Sequence, residues 1–168
     1  MNLREGVAKK VVMDLKLIAP NRDRFPELPE ERKKWWVKFP NFKMPVFPSF
    51  LGIELEELRE DYARLKLGYR REWTQPAGVV HGGVIASLID TAVVPAIGSA
   101  YDDRPDLLTI DMQVQYMGAI VEKDIYVEGW VSKRGRSVVF AQAEVRDADG
   151  KIAATGTLAY TVRHRKRD

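Results

Sequence analysis

One carboxylate stands inside an otherwise apolar run. Residues 84–97 read VIASLIDTAVVPAI, and Asp90 is the only charge among them. Taking an unpaired carboxylate out of water costs several kcal/mol and pushes its pKa upward. Such a group either serves a partner, by capping a neighbouring element or pairing with a buried arginine, or acts as a general base or nucleophile in a dry cleft. Directly before the run stands His81-Gly82-Gly83. Two glycines at a helix start leave backbone N–H groups uncovered, where the helix dipole adds partial positive charge. That arrangement can polarise a carbonyl and hold the oxyanion formed from it. The same glycines also suit a plain strand-to-helix turn. His81 reads as a structural hydrogen-bonding residue, because no second metal ligand lies near it and the chain has only two histidines.

Composition removes several other chemistries. The 168 residues include no cysteine, which excludes disulfides, thiolate zinc sites and a Cys nucleophile. No G-x-S-x-G elbow occurs, and Ser87 lies on the apolar run with no histidine near it. No phosphate-binding glycine loop follows a strand. A net charge of +3 is too small a surplus to imply a nucleic-acid surface. No stretch reaches the roughly 18 apolar residues of a membrane span, and the opening MNLREGVAKKVVMDLK lacks a signal-peptide core. The expected setting is cytoplasmic.

The elements that must position these residues follow from periodicity. A helix apolar on every face is a buried helix, so residues 84–97 predict a central one, kinked or ended at Pro95. Around it the period is two. Ala63, Leu65, Leu67 and Tyr69 alternate with polar residues over 62–69, and Leu108, Ile110, Met112, Val114 and Tyr116 alternate with Thr109, Asp111, Gln113 and Gln115. Residues 124–133 and 137–146 read as two more strands, Asp149-Gly150 as a hairpin into a last strand over 152–162, and 50–54 as a short strand. This is an α+β domain, one antiparallel sheet wrapped around one buried helix. Residues 1–49 differ: an amphipathic helix is expected over 7–18, a short helix after Pro29, and six of the nine prolines fall between Pro20 and Pro48. Phe25, Trp35, Trp36, Phe39, Phe42 and Phe47 are too many aromatics for a solvated linker, so 1–49 reads as an arm packed on its own domain, 50–168, or on a second subunit.

The segment from Thr74 to Gly83, TQPAGVVHGG, followed by Asp90, resembles the signature of hotdog-fold acyl-CoA thioesterases of the PaaI-like (phenylacetic acid degradation) branch. The resemblance runs on through Leu108 to Met112, Tyr116-Met117, Gly135-Arg136 and Asp149-Gly150, and covers roughly residues 50–163. It implies the hotdog fold and hydrolysis of an acyl-CoA thioester to a carboxylic acid and free coenzyme A. By the same resemblance, the Gly82 N–H polarises the thioester carbonyl, within the His81-Gly82-Gly83 turn. Asp90 is nucleophile or general base, and Gln75, usually Asn, positions water or the carboxylate. Thr109 is a second hydrogen-bonding group. Tyr116-Met117-Gly118-Ala119 departs from the usual Tyr-x-x-Pro. No metal or redox cofactor is implied; coenzyme A enters as part of the substrate. Arg134 and Arg136 flank a turn where they can meet coenzyme A phosphates, or lie solvated. The basic end, Arg163, Arg165, Lys166 and Arg167, is expected to be solvated, or near the same phosphates.

Helix geometry bears on assembly. Gly82 and Asp90 are eight residues apart, about 12 Å along a helix axis. A nucleophile acts about 3 to 3.5 Å from the reacting carbon, so one helix can hardly serve one thioester at both positions. A two-fold axis that sets two such helices antiparallel makes two shared sites, which predicts a homodimer, with a dimer of dimers open beyond it. Two rival functions stand beside hydrolysis: a non-catalytic acyl-CoA-binding hotdog protein, which would not need Asp90, and a hotdog dehydratase or hydratase, which normally carries a different motif around the histidine.

Overall fold

A computed structural model describes residues 15–36, 38–40 and 45–164. The alternating segments form strands β1 (Ile53–Arg59), β2 (Tyr62–Leu67), β3 (Asp106–Tyr116), β4 (Ile125–Arg134), β5 (Val138–Asp147) and β6 (Ile152–Arg163). They build one six-stranded sheet in the order β1-β2-β4-β5-β6-β3, antiparallel at every pairing. The apolar run becomes a 17-residue helix, Gly82–Gly98. Its packing faces β4, β2 and β5. Leu88, Ile89, Ala92 and Val93 are fully buried there. At the closest approach the helix backbone at Ala92 leaves no room for a Cβ on Gly129 of β4. This is the hotdog architecture expected of an α+β chain with one buried helix.

Two expectations about element ends are corrected. Pro95 does not end the central helix, which continues to Gly98; packing of Ala96 and Ile97 against the core outweighs the single hydrogen bond a proline forfeits. Phe50 and Leu51 belong to a short helix, Phe47–Leu51, rather than to a strand. That helix stops at Gly52, whose φ of 75° is the left-handed conformation glycine adopts most readily. The strand expected over 50–54 therefore begins only at Ile53. The helical segments before the central one are α1 (Leu15–Ile18), α2 (Glu30–Lys33) and α3 (Phe47–Leu51), so the central helix is α4. The expected helix over 7–18 falls outside the described residues except for α1, as do Phe42 and the basic residues 165–167.

The described part of the arm packs on its own domain. Phe25 stacks on Tyr62 of β2 with ring centroids 5.3 Å apart. The Asn21 backbone N–H and its side-chain amide each donate to the Glu128 carboxylate at 3.1 Å. These contacts cover the outer face of β2 and β4, so Tyr62, Arg64 and Glu128 are buried although they face away from α4. Leu28 joins Leu58, Ala63 and Ala96 in a second apolar cluster. Further along, the Trp36 indole lies where a Cβ on Gly98 would sit, at the end of α4.

Candidate active site

The start of α4 is built by a turn and a cap. The Gly78 N–H donates to the Gln75 carbonyl and the Gln75 N–H to the Val79 carbonyl, both at 2.9 Å, closing the TQPAG turn. His81 is the N-cap of α4, and its Nδ1 accepts the Gly83 N–H at 2.9 Å. That bond leaves the imidazole proton on Nε2. It also corrects one expectation: of the two glycine amides thought to be uncovered, Gly83 is already satisfied. The Gly82 N–H has no hydrogen-bond partner among the described residues. The Tyr116 ring lies beside it, and its hydroxyl donates to the Gly82 carbonyl at 3.0 Å; an added Cβ at Gly82 would stand 3.3 Å from that ring. Gln75, Gly82, Ile85, Tyr116 and Met117 line one open cavity of about 410 Å³. The loop lacking the family's proline is held by backbone instead, because the Met117 and Gly118 N–H groups both donate to the Ala153 carbonyl, at 2.9 and 3.0 Å.

Asp90 sits two turns further along α4, outside that cavity. It is half-buried rather than sealed in, and it is not unpaired. The Thr109 hydroxyl donates to Asp90 Oδ1 at 2.9 Å, and the Tyr160 hydroxyl to the same oxygen at 2.5 Å. Tyr160 is also 2.9 Å from the Asp90 backbone carbonyl. Oδ2 has no partner among the described residues. Burial, reinforced by the bond to Asp90, raises the Tyr160 pKa far above the usual phenol range, so its hydroxyl remains a donor.

Thr109 faces α4 because β3 is irregular. Simple alternation puts Leu108 and Ile110 on the same face as Met112 and Val114, and Thr109 on the other. The pairing with β6 steps from Thr109↔Tyr160 to Asp111↔Ala159, leaving Ile110 as an extra residue. Such a bulge reverses which residues face inward on its two sides. Leu107 and Thr109 therefore join Met112 and Val114 on the helix face. Leu108 and Ile110 turn outward, 54% and 55% exposed.

The two halves stay apart within one chain: Gln75, His81, Gly82 and Gly83 at the start of α4, and Asp90 with Thr109 in its middle. Sequence reasoning missed Tyr160. The signal was a phenol on an inward-facing position of β6, where a buried hydroxyl needs a partner. Arg134, expected with Arg136 at the coenzyme A phosphates, makes contacts within its own chain. Its guanidinium is held by the Asp61 carboxylate and by the Ile97 carbonyl at 3.0 Å, and it lies 4.6 Å from the centre of the Tyr101 ring. Both bonds are made by one guanidinium nitrogen, Nη2, and tie the β4–β5 end to α4. Arg136 is exposed on the turn. Among the described residues, no helix is long and apolar enough to cross a membrane.

The sequence pattern of the thioesterase superfamily matches residues 77–154. A protein of Saccharolobus solfataricus named as a candidate esterase is 31% identical over 107 residues, covering 63% of this chain and 75% of its own. Acyl-coenzyme A thioesterase 13 of Mus musculus is 25% identical over 118 residues, covering 68% of this chain and 84% of its own. Among solved structures, the E. coli PaaI protein from the phenylacetic acid degradation operon superposes with a TM-score of 0.71, over 82% of this chain and 97% of its own, at 16% identity. The last likeness concerns the fold.

Proposed function

Because the chain belongs to the thioesterase superfamily of hotdog proteins, we propose that it hydrolyses acyl-CoA thioesters. The observation that carries this reading is Asp90: one oxygen is held by two hydroxyl donors and the other is open. A carboxylate oriented in this way is suited to take a proton from water as that water attacks the thioester carbon. The charge then developing on the carbonyl oxygen is met by the Gly82 N–H at the positive end of α4. Collapse of the tetrahedral intermediate expels the coenzyme A sulfur, which leaves as the thiol with the proton taken from water. Gln75, exposed on the same cavity as Gly82, orients the thioester or the water.

Neither half completes the chemistry alone, since about 12 Å of helix separates Gly82 from Asp90. We take the working unit to be a two-fold dimer in which Asp90 of one chain faces Gly82 of its partner. The β3 edge supports this. It is the last strand of the sheet, and Leu108, Ile110, Tyr116 and Met117 are each at least 54% exposed along it. An open apolar edge of that kind favours pairing with another chain.

The test is release of free thiol from a panel of acyl-CoA esters, read with a thiol reagent. The chain contains no cysteine and adds no background. Hydrolysis of at least one ester supports the proposal. Binding without thiol release would point to an acyl-CoA-binding role, and hydration of an enoyl ester would point to a hydratase.

A further inference from the structure

A second cavity, of about 560 Å³, lies at the far end of α4. Its apolar wall comes from three places: Val94 and Gly98 of α4, Leu107 of β3, and Trp36 with Phe39 of the arm. Arg104 and Arg163 also border it, and both are exposed, so the charge stands on its solvent side. Asp90, Val94 and Gly98 are spaced i, i+4, i+8 and share one face of the helix. On the opposing strand, Thr109, which holds Asp90, and Leu107, which lines the cavity, share the inward face. The cavity therefore lies on the Asp90 face of α4 and the Thr109 face of β3, further along the helix.

We infer that this cavity takes the acyl group of the thioester and that the arm, through Trp36 and Phe39, sets how large that group can be. The inference rests on the thioesterase reading above and deepens it. Asp106 borders the cavity together with the two arginines, while the wall between α4, Leu107 and the arm is apolar, so the part of the acyl group held there is apolar. An apolar cavity of roughly 150 Å³ holds one benzene molecule. This one is open to solvent and more than three times that size, so it has room for an acyl group larger than a six-carbon ring. The far wall is an aromatic corner, with the Trp36 and Phe39 rings 5.7 Å apart and edge to face. Glycine at position 98 is what admits the indole, since any Cβ there would occupy its place. Trp36 and Phe39 lie outside the residues 77–154 that the superfamily pattern matches. The size limit is thus supplied by this chain's own arm.

The experiment compares kcat/KM over saturated acyl-CoA esters from acetyl to hexadecanoyl, for wild type and for two variants that change the cavity in opposite senses. Trp36→Ala removes the far wall and is expected to move the preferred chain length upward. Val94→Phe fills the cavity and is expected to lower the ratio of long-chain to short-chain kcat/KM about 10-fold or more, the scale by which a hydrophobic pocket discriminates chain size. Opposite shifts in the two variants support the inference. If both variants scale every ester alike, the cavity does not hold the acyl group and the inference falls while the thioesterase reading stands. If wild type releases thiol from no ester, both fall together.

Discussion

Thr109 and Tyr160 are directly paired across β3 and β6, and both hydroxyls reach the same oxygen of Asp90. Residues opposite one another in an antiparallel ladder point to one face of the sheet. A pair of hydroxyls there forms a fixed two-donor clamp. It orients a carboxylate presented by the helix without adding any charge. The clamp exists only because the bulge at Ile110 turns Thr109 inward.

Asp90→Asn should keep the fold and lose hydrolysis by at least about 10²-fold, the usual contribution of a positioned base. Thiol release and melting temperature are measured on the same preparation. A folded variant with near wild-type turnover would make Asp90 structural.

Removing one donor from the clamp should cost less than removing the base. A hydrogen bond to a charged group contributes about 1.5–3 kcal/mol, so Tyr160→Phe and Thr109→Val should each lower kcat by about 10- to 150-fold. Thr109→Ser restores the hydroxyl and should restore most of the rate. If serine rescues no better than valine, Thr109 acts through packing.

The two arginines near the β4–β5 turn should separate cleanly. Arg136→Ala should weaken turnover of coenzyme A esters more than that of N-acetylcysteamine esters, which lack the phosphates a guanidinium contacts. Arg134→Ala should instead lower the melting temperature, because it strips the partner from Asp61 and from the Ile97 carbonyl. Equal effects of Arg136→Ala on both ester types would remove that residue from the coenzyme A site.

Subunit mixing tests the shared site. An Asp90→Ala chain is combined with a Gln75→Ala chain, each first verified as inactive. Random exchange makes half the dimers mixed, each with one intact site, so activity should return to about a quarter of wild type. An absence of recovery after demonstrated exchange would place both groups in one chain's site.

Glu128 should make folding stability pH-dependent. Burial, the largest cause, raises its pKa above 4.5 in the folded chain, against the lowering effect of the Asn21 and Tyr62 hydrogen bonds. The folded chain therefore holds this proton more tightly than the unfolded chain. The contribution favours folding below the unfolded value and is lost as pH rises from there through the raised folded value. Melting temperatures of wild type and Glu128→Gln across that window should show wild type losing its advantage as pH increases. A difference that stays constant with pH would show that Glu128 does not titrate with folding.

Much of this molecule was legible locally. The period-two segments and the apolar run at 84–97 encode the strands and the central helix, because alternation and all-round apolarity are properties of adjacent residues. The same text singles out Asp90 and His81-Gly82-Gly83, and the eight-position spacing from Gly82 to Asp90 already separates the two halves of the site. What only the tertiary structure decided are relationships between distant positions. An added residue in β3 reverses the inward face, and no local pattern marks Ile110 as the residue left over. Tyr160 meets Asp90 across 70 positions, and Arg134 is held by Asp61 across 73. The arm's aromatics find the outer face of β2 and β4 and the end of α4, burying residues that alternation assigns to solvent. Periodicity reports which side chains share a face; it carries no information on what that face will meet.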